Sequence, residues 1–159
     1  MLVVGGTLVA GLSVAGTADA ATSRVFGPDG YGPIHLGMSL DDALATGKIL
    51  DGVNTEGCGS YHWIYGGDSD YVTISHDYGV KQVPAPAGTH TREGAARGTS
   101  TGKLFRLYPT GDLEERNGVV VFETSVPQDD TNNYTFLIQD GKVAYFGVSS
   151  VDQTGCEAG

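Results

Sequence analysis

Basic residues are scarce in this chain of 159 residues. Lys and Arg together number 9 against 19 Asp and Glu, which gives a formal net charge of −10 at pH 7. The few cations are scattered singly, so the sequence has no basic patch that would attract phosphate groups. Nucleic acids and anionic membrane surfaces are therefore excluded as partners.

Sequence motifs of catalysis and metal binding are also missing. The chain has no Gly-x-Ser-x-Gly elbow, no His-Glu-x-x-His pair and no phosphate loop with its lysine. Two Cys and four unclustered His do not make a zinc site. Asp68 and Asp70 stand in a glycine-rich loop, where paired acids form solvated turns. We therefore expect a protein that is not an enzyme and that needs no metal or cofactor.

Long apolar runs are absent after the N-terminal segment. Residues 2–16 are apolar and precede Ala18-Asp19-Ala20, the small-residue pattern of a cleavage site. This run is too short to span a bilayer, for which about 20 residues are needed. The sequence thus predicts a signal peptide over residues 1–20, a secreted chain that begins at Ala21, and no membrane contact after cleavage.

Cysteine is nearly absent as well, since Cys58 and Cys156 are the only two. An oxidising compartment favours pairing, so secretion predicts one disulfide between them that closes most of the mature chain. The loop-entropy relation assigns such a bridge roughly 4–5 kcal/mol of stability. Two unpaired thiols, one of them near the C-terminus, are the alternative.

The remaining composition indicates a small folded protein with many turns. Apolar residues make up 40% of the chain, too many for disorder, and 25 Gly and 6 Pro favour short elements. Two stretches recur at a spacing of about sixty residues, with 36–39 matched to 97–100 and 71–77 matched to 134–140. These matches divide the chain into a first unit over 21–85, a linker over 86–89 and a second unit over 90–159.

Each predicted unit opens with a helix signal. Ser39 and Ser100 can cap free backbone N–H groups, and Asp41-Asp42 places negative charge in the first helical turn. Apolar alternation and turn dipeptides predict strands after these helices, over residues 60–65, 71–76, 80–83, 119–123, 134–139 and 142–151. The predicted fold class is α+β: two tandem units, each a short helical N-terminal segment packed on an antiparallel sheet, with the two sheets edge to edge.

The opening of the first unit carries a family resemblance. Residues 32–44 place alternating apolar residues before Gly-Met-Ser and an Ala/Leu-rich helix. This segment resembles the repeat opening of the β-lactamase inhibitory proteins, which Streptomyces-type bacteria secrete. The resemblance implies a tandem α/β architecture and a class A β-lactamase as the partner. It also implies that the loop over residues 67–71 contacts the enzyme, with Asp68 corresponding to the aspartate that enters the active site.

An aromatic stripe on the predicted strands supplies a candidate contact surface. Alternate strand residues point to opposite faces, so Tyr61, Trp63 and Tyr65 share one face. Taking Val72 and Ile74 as core-facing adds Tyr71 to that surface. The repeat alignment adds Tyr134 and Phe136, and Tyr145 follows on the next strand. Exposed Tyr and Trp clusters are typical of protein–protein hot spots and of sugar-stacking grooves. The alternative is that this face packs beneath the helices as core, because aromatic residues also favour strands.

The sequence-based prediction of function follows from these features. We expect a monomeric, secreted, non-enzymatic protein-binding module of the β-lactamase-inhibitor type. Asp68 and the aromatic stripe would contact its extracellular protein partner. The second hypothesis is an extracellular protein that binds a glycan or another small ligand in an aromatic groove. The third is a secreted domain with a structural role only.

Overall fold

A computed structural model describes residues 24–68 and 70–156 of the chain. The predicted signal peptide over residues 1–20 lies outside the described residues. The described part contains strands and two short helices, in the order β1 (Val25–Phe26), β2 (Gly30–Tyr31), β3 (Ile34–His35), α1 (Leu40–Ala45), β4 (Ile49–Asn54), β5 (Cys58–Trp63), β6 (Tyr71–Ser75), β7 (Gly79–Pro84), β8 (His90–Thr91), α2 (Thr101–Leu107), β9 (Asp112–Arg116), β10 (Val119–Val126), β11 (Asp129–Gln139) and β12 (Lys142–Ser150).

A large antiparallel sheet of 8 strands has the order β4-β5-β6-β7-β12-β11-β10-β9. The first half, β4 to β7, is a meander, and the second half, β9 to β12, is another that runs inward from the opposite edge. The last strands of the two meanders pair in the middle of the sheet, where Val83 lies opposite Val148. One continuous sheet therefore spans both predicted units, and residues 86–89 lie in the connection between its halves.

The predicted α+β class is wrong, because the protein is mostly β. Helices α1 and α2 contain only 6 and 7 residues, too few to form a helical layer. Both begin after the predicted caps Ser39 and Ser100, and they stop before Gly47, which has a φ of 64°, and before Pro109. The prediction also missed the edge strands β4 and β9, which are rich in Asp, Gly, Asn and Glu. These residues disfavour strands, yet they stay hydrated at a sheet edge.

The core lies on one side of the large sheet, which we call the covered face. Phe26 of β1, Ile34 of β3 and Leu104 of α2 are fully buried and join the buried residues of the sheet in one hydrophobic cluster. Aromatic rings fill this cluster in the second half, where Phe136 stacks on Phe146 with 5.5 Å between ring centroids. The opposite side of the sheet is called the open face.

The C-terminal strap, residues 151–156, crosses the open face of the first half. The predicted disulfide between Cys58 and Cys156 is confirmed and joins the strap to β5. Strand alternation directs Cys58 to the open face. The buried Lys81 ammonium donates to the Asp152 carbonyl at 2.9 Å, and its Nζ lies 3.7 Å from the Asp152 carboxylate. The strap is thus packed on the sheet as well as cross-linked to it.

Candidate functional site

Most of the predicted aromatic stripe lies in the core. Tyr61 and Trp63 of β5 are 4% and 0% exposed, and Tyr134 and Phe136 of β11 are 1% and 0% exposed. These four side chains cannot form an exposed contact surface, so the structure contradicts their assignment to one. The alternative, in which this face packs as core, is the correct description of them. The tyrosines and the tryptophan stabilise the fold through burial.

For the two residues of β11, the error came from the register of the repeat alignment. Tyr71 pairs with His62 and points to the open face, whereas Tyr134 pairs with Val148 and points to the covered face. The alignment matched Tyr71 with Tyr134, so it was shifted by one residue relative to the strand pairing in the sheet. Because alternate strand residues face opposite sides, a shift of one residue moves every side chain to the other face.

Tyr65 and Tyr145 are partly buried by side chains that pack on them. The Tyr65 ring meets Trp63 edge-on, with 5.1 Å between centroids. The Arg97 guanidinium lies 5.3 Å from the centre of the Tyr145 ring. Burial raises the pKa of Tyr145, and the nearby Asp70 carboxylate raises it further, so the hydroxyl stays protonated. Both rings support the local structure and offer little open contact area.

Asp68 is exposed in the loop between β5 and β6. The buried Asp70 shapes this loop, because its carboxylate accepts the Gly67 backbone N–H at 2.8 Å and lies 3.5 Å from the Arg97 guanidinium. A carboxylate held by a backbone donor and a cation makes strong hydrogen bonds that order the chain around it. Two predicted contact residues are therefore accessible to a partner: Asp68 and Tyr71.

Exposed apolar side chains gather on the open face at the outer edge of the first half. Leu50, His62 and Tyr71 lie side by side across β4, β5 and β6, and Val53 follows on β4. Leu50 is 53% exposed, Val53 71% and Tyr71 42%. The Tyr71 and His62 rings meet edge-on, with 5.9 Å between centroids. We call these four residues the outer patch.

Three members of the outer patch, Leu50, Val53 and His62, were not predicted from the sequence. His62 alternates with the aromatic stripe along β5, and the sequence prediction took the face of the stripe as the exposed one. Leu50 and Val53 belong to β4, which has a bulge between Leu50 and Gly52 and therefore lacks a regular alternation. The pairing of β4 with β5 is a tertiary contact, so no local pattern could have placed these side chains beside Tyr71.

The open face of the second half is mixed. Val119 is 45% exposed there, and Val121, Leu137 and Tyr145 form an apolar row across β10, β11 and β12. Next to this row the face is polar. Arg116 donates to Glu114 and, at 3.0 Å, to Glu123, whose other oxygen accepts from Asn133 at 2.8 Å. These groups border a shallow depression of about 410 Å³. We call its polar lining on the sheet the polar patch, which comprises Gln82 of β7 in the first half and, in the second half, Arg116, Glu123, Asn133, Thr135, Ser149 and Ser150.

The described residues offer no site for a metal ion. Within 24–68 and 70–156, no group of three or more His, Cys, Asp or Glu side chains is arranged to hold one. The same part of the chain has no helix with the length and apolar character needed to cross a membrane. The candidate sites are consequently the surfaces that the sheet and its loops present: the outer patch with Asp68, and the polar patch.

Comparison of the chain with protein-family models, with curated proteins and with solved structures finds no match. These comparisons therefore assign no family to the chain. The resemblance of residues 32–44 to the β-lactamase inhibitory proteins stays a prediction from sequence. The candidate functions rest on the geometry of the open face.

Proposed function

We propose that this protein is a secreted, non-enzymatic module that binds another extracellular protein with its outer patch and Asp68. The observation that carries the proposal is the exposure of Leu50, Val53 and Tyr71 around His62 on one face of three adjacent strands. A contiguous exposed apolar patch is a mark of protein contact sites. Tyrosine supplies rigid contact area with a polar tip, as it does at interface hot spots.

The charge around the outer patch indicates the chemistry of the partner. Asp51 is exposed in β4 beside Leu50, and Asp68 is exposed in the loop before β6. The chain as a whole carries a formal net charge of −10. A folded protein with an apolar contact area and basic residues around it would complement this surface. Charges of opposite sign would then speed the encounter and fix the orientation of the complex.

Secretion is part of the proposal. The Cys58–Cys156 disulfide supports it, because disulfides persist mainly in oxidising compartments outside the cytosol. The apolar segment and Ala-x-Ala pattern within residues 1–20 add a second, sequence-based argument. The partner is accordingly sought among proteins outside the cell.

A class A β-lactamase is the first partner to test. Residues 32–44 resemble the repeat opening of the β-lactamase inhibitory proteins, and Asp68 keeps the role that this resemblance implies. The contact surface proposed here differs from the aromatic stripe of the sequence prediction. It consists of the outer patch, because four members of the stripe are buried.

The experiment is a titration of the oxidised protein against a panel of class A β-lactamases, followed by hydrolysis of a chromogenic substrate. We expect stoichiometric inhibition that Asp68→Ala and Tyr71→Ala each weaken. Thr135→Ala is the matched control, because Thr135 lies on the same open face but in the polar patch. No inhibition at micromolar protein would exclude these enzymes as partners. Equal inhibition by all variants would exclude the outer patch.

Glycan binding is the second candidate, and the polar patch favours it. The side chains of Gln82, Thr135 and Ser149 line the depression and make no hydrogen bond to another described residue, so their amide and hydroxyl groups are free to pair with sugar hydroxyls. The buried Trp63 offers no stacking surface. Saccharide titrations followed by NMR of the Gln82 and Asn133 side-chain amides test this candidate. Saturable shifts would support it, and unchanged signals would exclude it.

A further inference from the structure

A separate cleft opens at the end of the sheet where β10 turns into β11. It lies between β1, the segment that follows β8, and this turn, and its volume is about 230 Å³. Binding sites for drug-sized ligands usually occupy about 300–1,000 Å³, so this cleft suits a smaller molecule. The residues that matter for its chemistry are Phe26, Arg92, Glu93, Val126, Asp129 and Tyr134, which we call the end cleft.

The Tyr134 hydroxyl is a polar group without a partner in the end cleft. The residue is only 1% exposed, and its hydroxyl makes no hydrogen bond to any other described residue. Burial raises the pKa of Tyr134, and the neighbouring Glu93 carboxylate raises it further, so the O–H bond is retained. Because Tyr134 lines the cleft, its unpaired hydroxyl is left to water or to a ligand. The cleft that Tyr134 lines is the place from which a ligand can supply the missing hydrogen bond.

Side chains of both charges line the end cleft. Arg92 is exposed on one side, and Glu93 and Asp129 contribute carboxylates. One oxygen of Glu93 accepts the Tyr108 hydroxyl at 3.0 Å, and its other oxygen has no hydrogen bond within the described chain. The hydroxyl and backbone N–H of Thr131, and then the Asn132 amide, lower the pKa of Asp129 and keep it ionised. The end cleft is therefore complementary to a ligand with one cationic and one anionic group.

The apolar walls of the end cleft determine which kind of side chain the ligand can carry. Phe26 is fully buried and Val126 is 3% exposed, and both line the cleft beside the charged groups. Apolar walls with a few convergent polar groups are the usual composition of small-molecule sites. The small volume leaves room for a short aliphatic side chain.

We propose that the end cleft binds a free α-amino acid with a small apolar side chain. The ligand's ammonium group pairs with the carboxylates of Glu93 and Asp129, and its carboxylate pairs with Arg92. The Tyr134 hydroxyl hydrogen-bonds to the charged end of the ligand, and the aliphatic side chain packs against Phe26 and Val126. This site lies on the covered side of the second half, away from the outer patch, so it is independent of the proposed protein-binding function.

Calorimetric titration of the oxidised protein with valine, N-acetylvaline and valinamide tests the ligand class. Valine carries both charges, whereas N-acetylvaline lacks the ammonium group and valinamide lacks the carboxylate. We expect valine to bind and each blocked probe to bind at least about tenfold more weakly, which corresponds to about 1.4 kcal/mol. The proposal is wrong if valine does not bind at about 10 mM, or if either blocked probe binds as tightly as valine.

Two variants test the residues. Arg92→Gln should weaken valine binding about tenfold or more, because it removes the partner of the ligand carboxylate. Tyr134→Phe should weaken binding by several-fold without lowering the unfolding temperature, because the hydroxyl has no partner in the free protein. Tyr78→Phe, at an exposed position outside the cleft, should bind valine like the unchanged protein. Wild-type affinity in both Arg92→Gln and Tyr134→Phe would overturn the assignment.

Discussion

The two halves of the open face are built alike but differ in chemistry. Each half presents side chains from four consecutive strands. The first half exposes Leu50, Val53 and Tyr71, whereas the second half supplies all of the polar patch except Gln82, including the Arg116–Glu123 ion pair. The same architecture therefore does not require an apolar open face. The second half exposes one large apolar side chain on this face, Val119 at 45%, against three in the first half, and this distinguishes the outer patch as the protein-binding candidate.

The two edge strands differ in the same way. β9 at the outer edge of the second half is fully exposed and consists mostly of charged residues, which prevent pairing with another strand. β4 at the outer edge of the first half has a bulge between Leu50 and Gly52, which also disfavours pairing. However, β4 keeps Leu50 and Val53 exposed on its open face. The edge of the first half thus resists pairing with another strand, while its open face stays accessible to a partner protein.

The largest expected effect concerns the strap, which is cross-linked to the first half. Cys156→Ser removes the cross-link between residues 98 apart in sequence. The loop-entropy relation predicts a loss of roughly 4–5 kcal/mol in the free energy of unfolding, because the unfolded chain regains its freedom. Urea unfolding measures the loss, with the reduced unchanged protein as the control. A loss below about 1 kcal/mol would show that packing of the strap suffices without the bond.

The next comparison sets the two faces of β11 against each other within the second half. Phe136→Ala opens a cavity in the core and should lower the free energy of unfolding by about 3–5 kcal/mol. Thr135→Ala, one residue earlier and on the open face, should change it by no more than about 0.5 kcal/mol. Urea unfolding of both variants checks this pair of values. Equal losses would mean that the polar patch stabilises the fold and is not a free surface.

The affinity for the protein partner should distinguish the two halves of the open face most directly. Tyr71→Ala is expected to weaken binding of the protein partner by about 2 kcal/mol, close to thirtyfold, as at an interface hot spot. Thr135→Ala should leave the affinity within about threefold of the unchanged protein. Surface plasmon resonance with an inhibited β-lactamase measures both. A larger loss of affinity in Thr135→Ala than in Tyr71→Ala would show that the binding site lies on the second half.

The smallest effect concerns the pH dependence of the strap. Hydrogen bonds from the Thr154 hydroxyl and backbone N–H, together with Lys81, lower the pKa of Asp152. A carboxyl whose pKa is lowered by folding stabilises the native state above its unfolded-state pKa, about 3.9, and loses this contribution as the pH falls through the folded value. Asp152→Asn should therefore be less stable than the unchanged protein near pH 6. This difference should vanish at strongly acidic pH in urea unfolding, and a constant difference would contradict the role of the charge.

Local features of the fold were predictable from the sequence. Ser39 and Ser100 cap the two helices because a serine hydroxyl can accept a backbone N–H within its own turn. Strand alternation correctly located most of β5, β6, β11 and β12. The pairing of Cys58 with Cys156 followed from their being the only two cysteines in a chain predicted to be secreted.

The candidate site was predictable only in part. Asp68 and Tyr71 were identified and are exposed, but Leu50, Val53 and His62 were not identified. Strand β4 has a weak strand sequence, and its place at the edge of the sheet depends on pairing with β5. Edge strands are stabilised by one neighbour and by water, so their residues need not have high strand propensity.

The amino-acid sequence by itself determined the alternation within each strand, the helix starts and the chemistry of the cysteines, because these depend on neighbouring residues along the chain. It did not determine which face of each strand became core. That choice depended on the side of the sheet on which the helices and short strands packed. It buried Tyr134 and Phe136 and left Tyr71 exposed, because a displacement of one residue in strand register reverses the two faces.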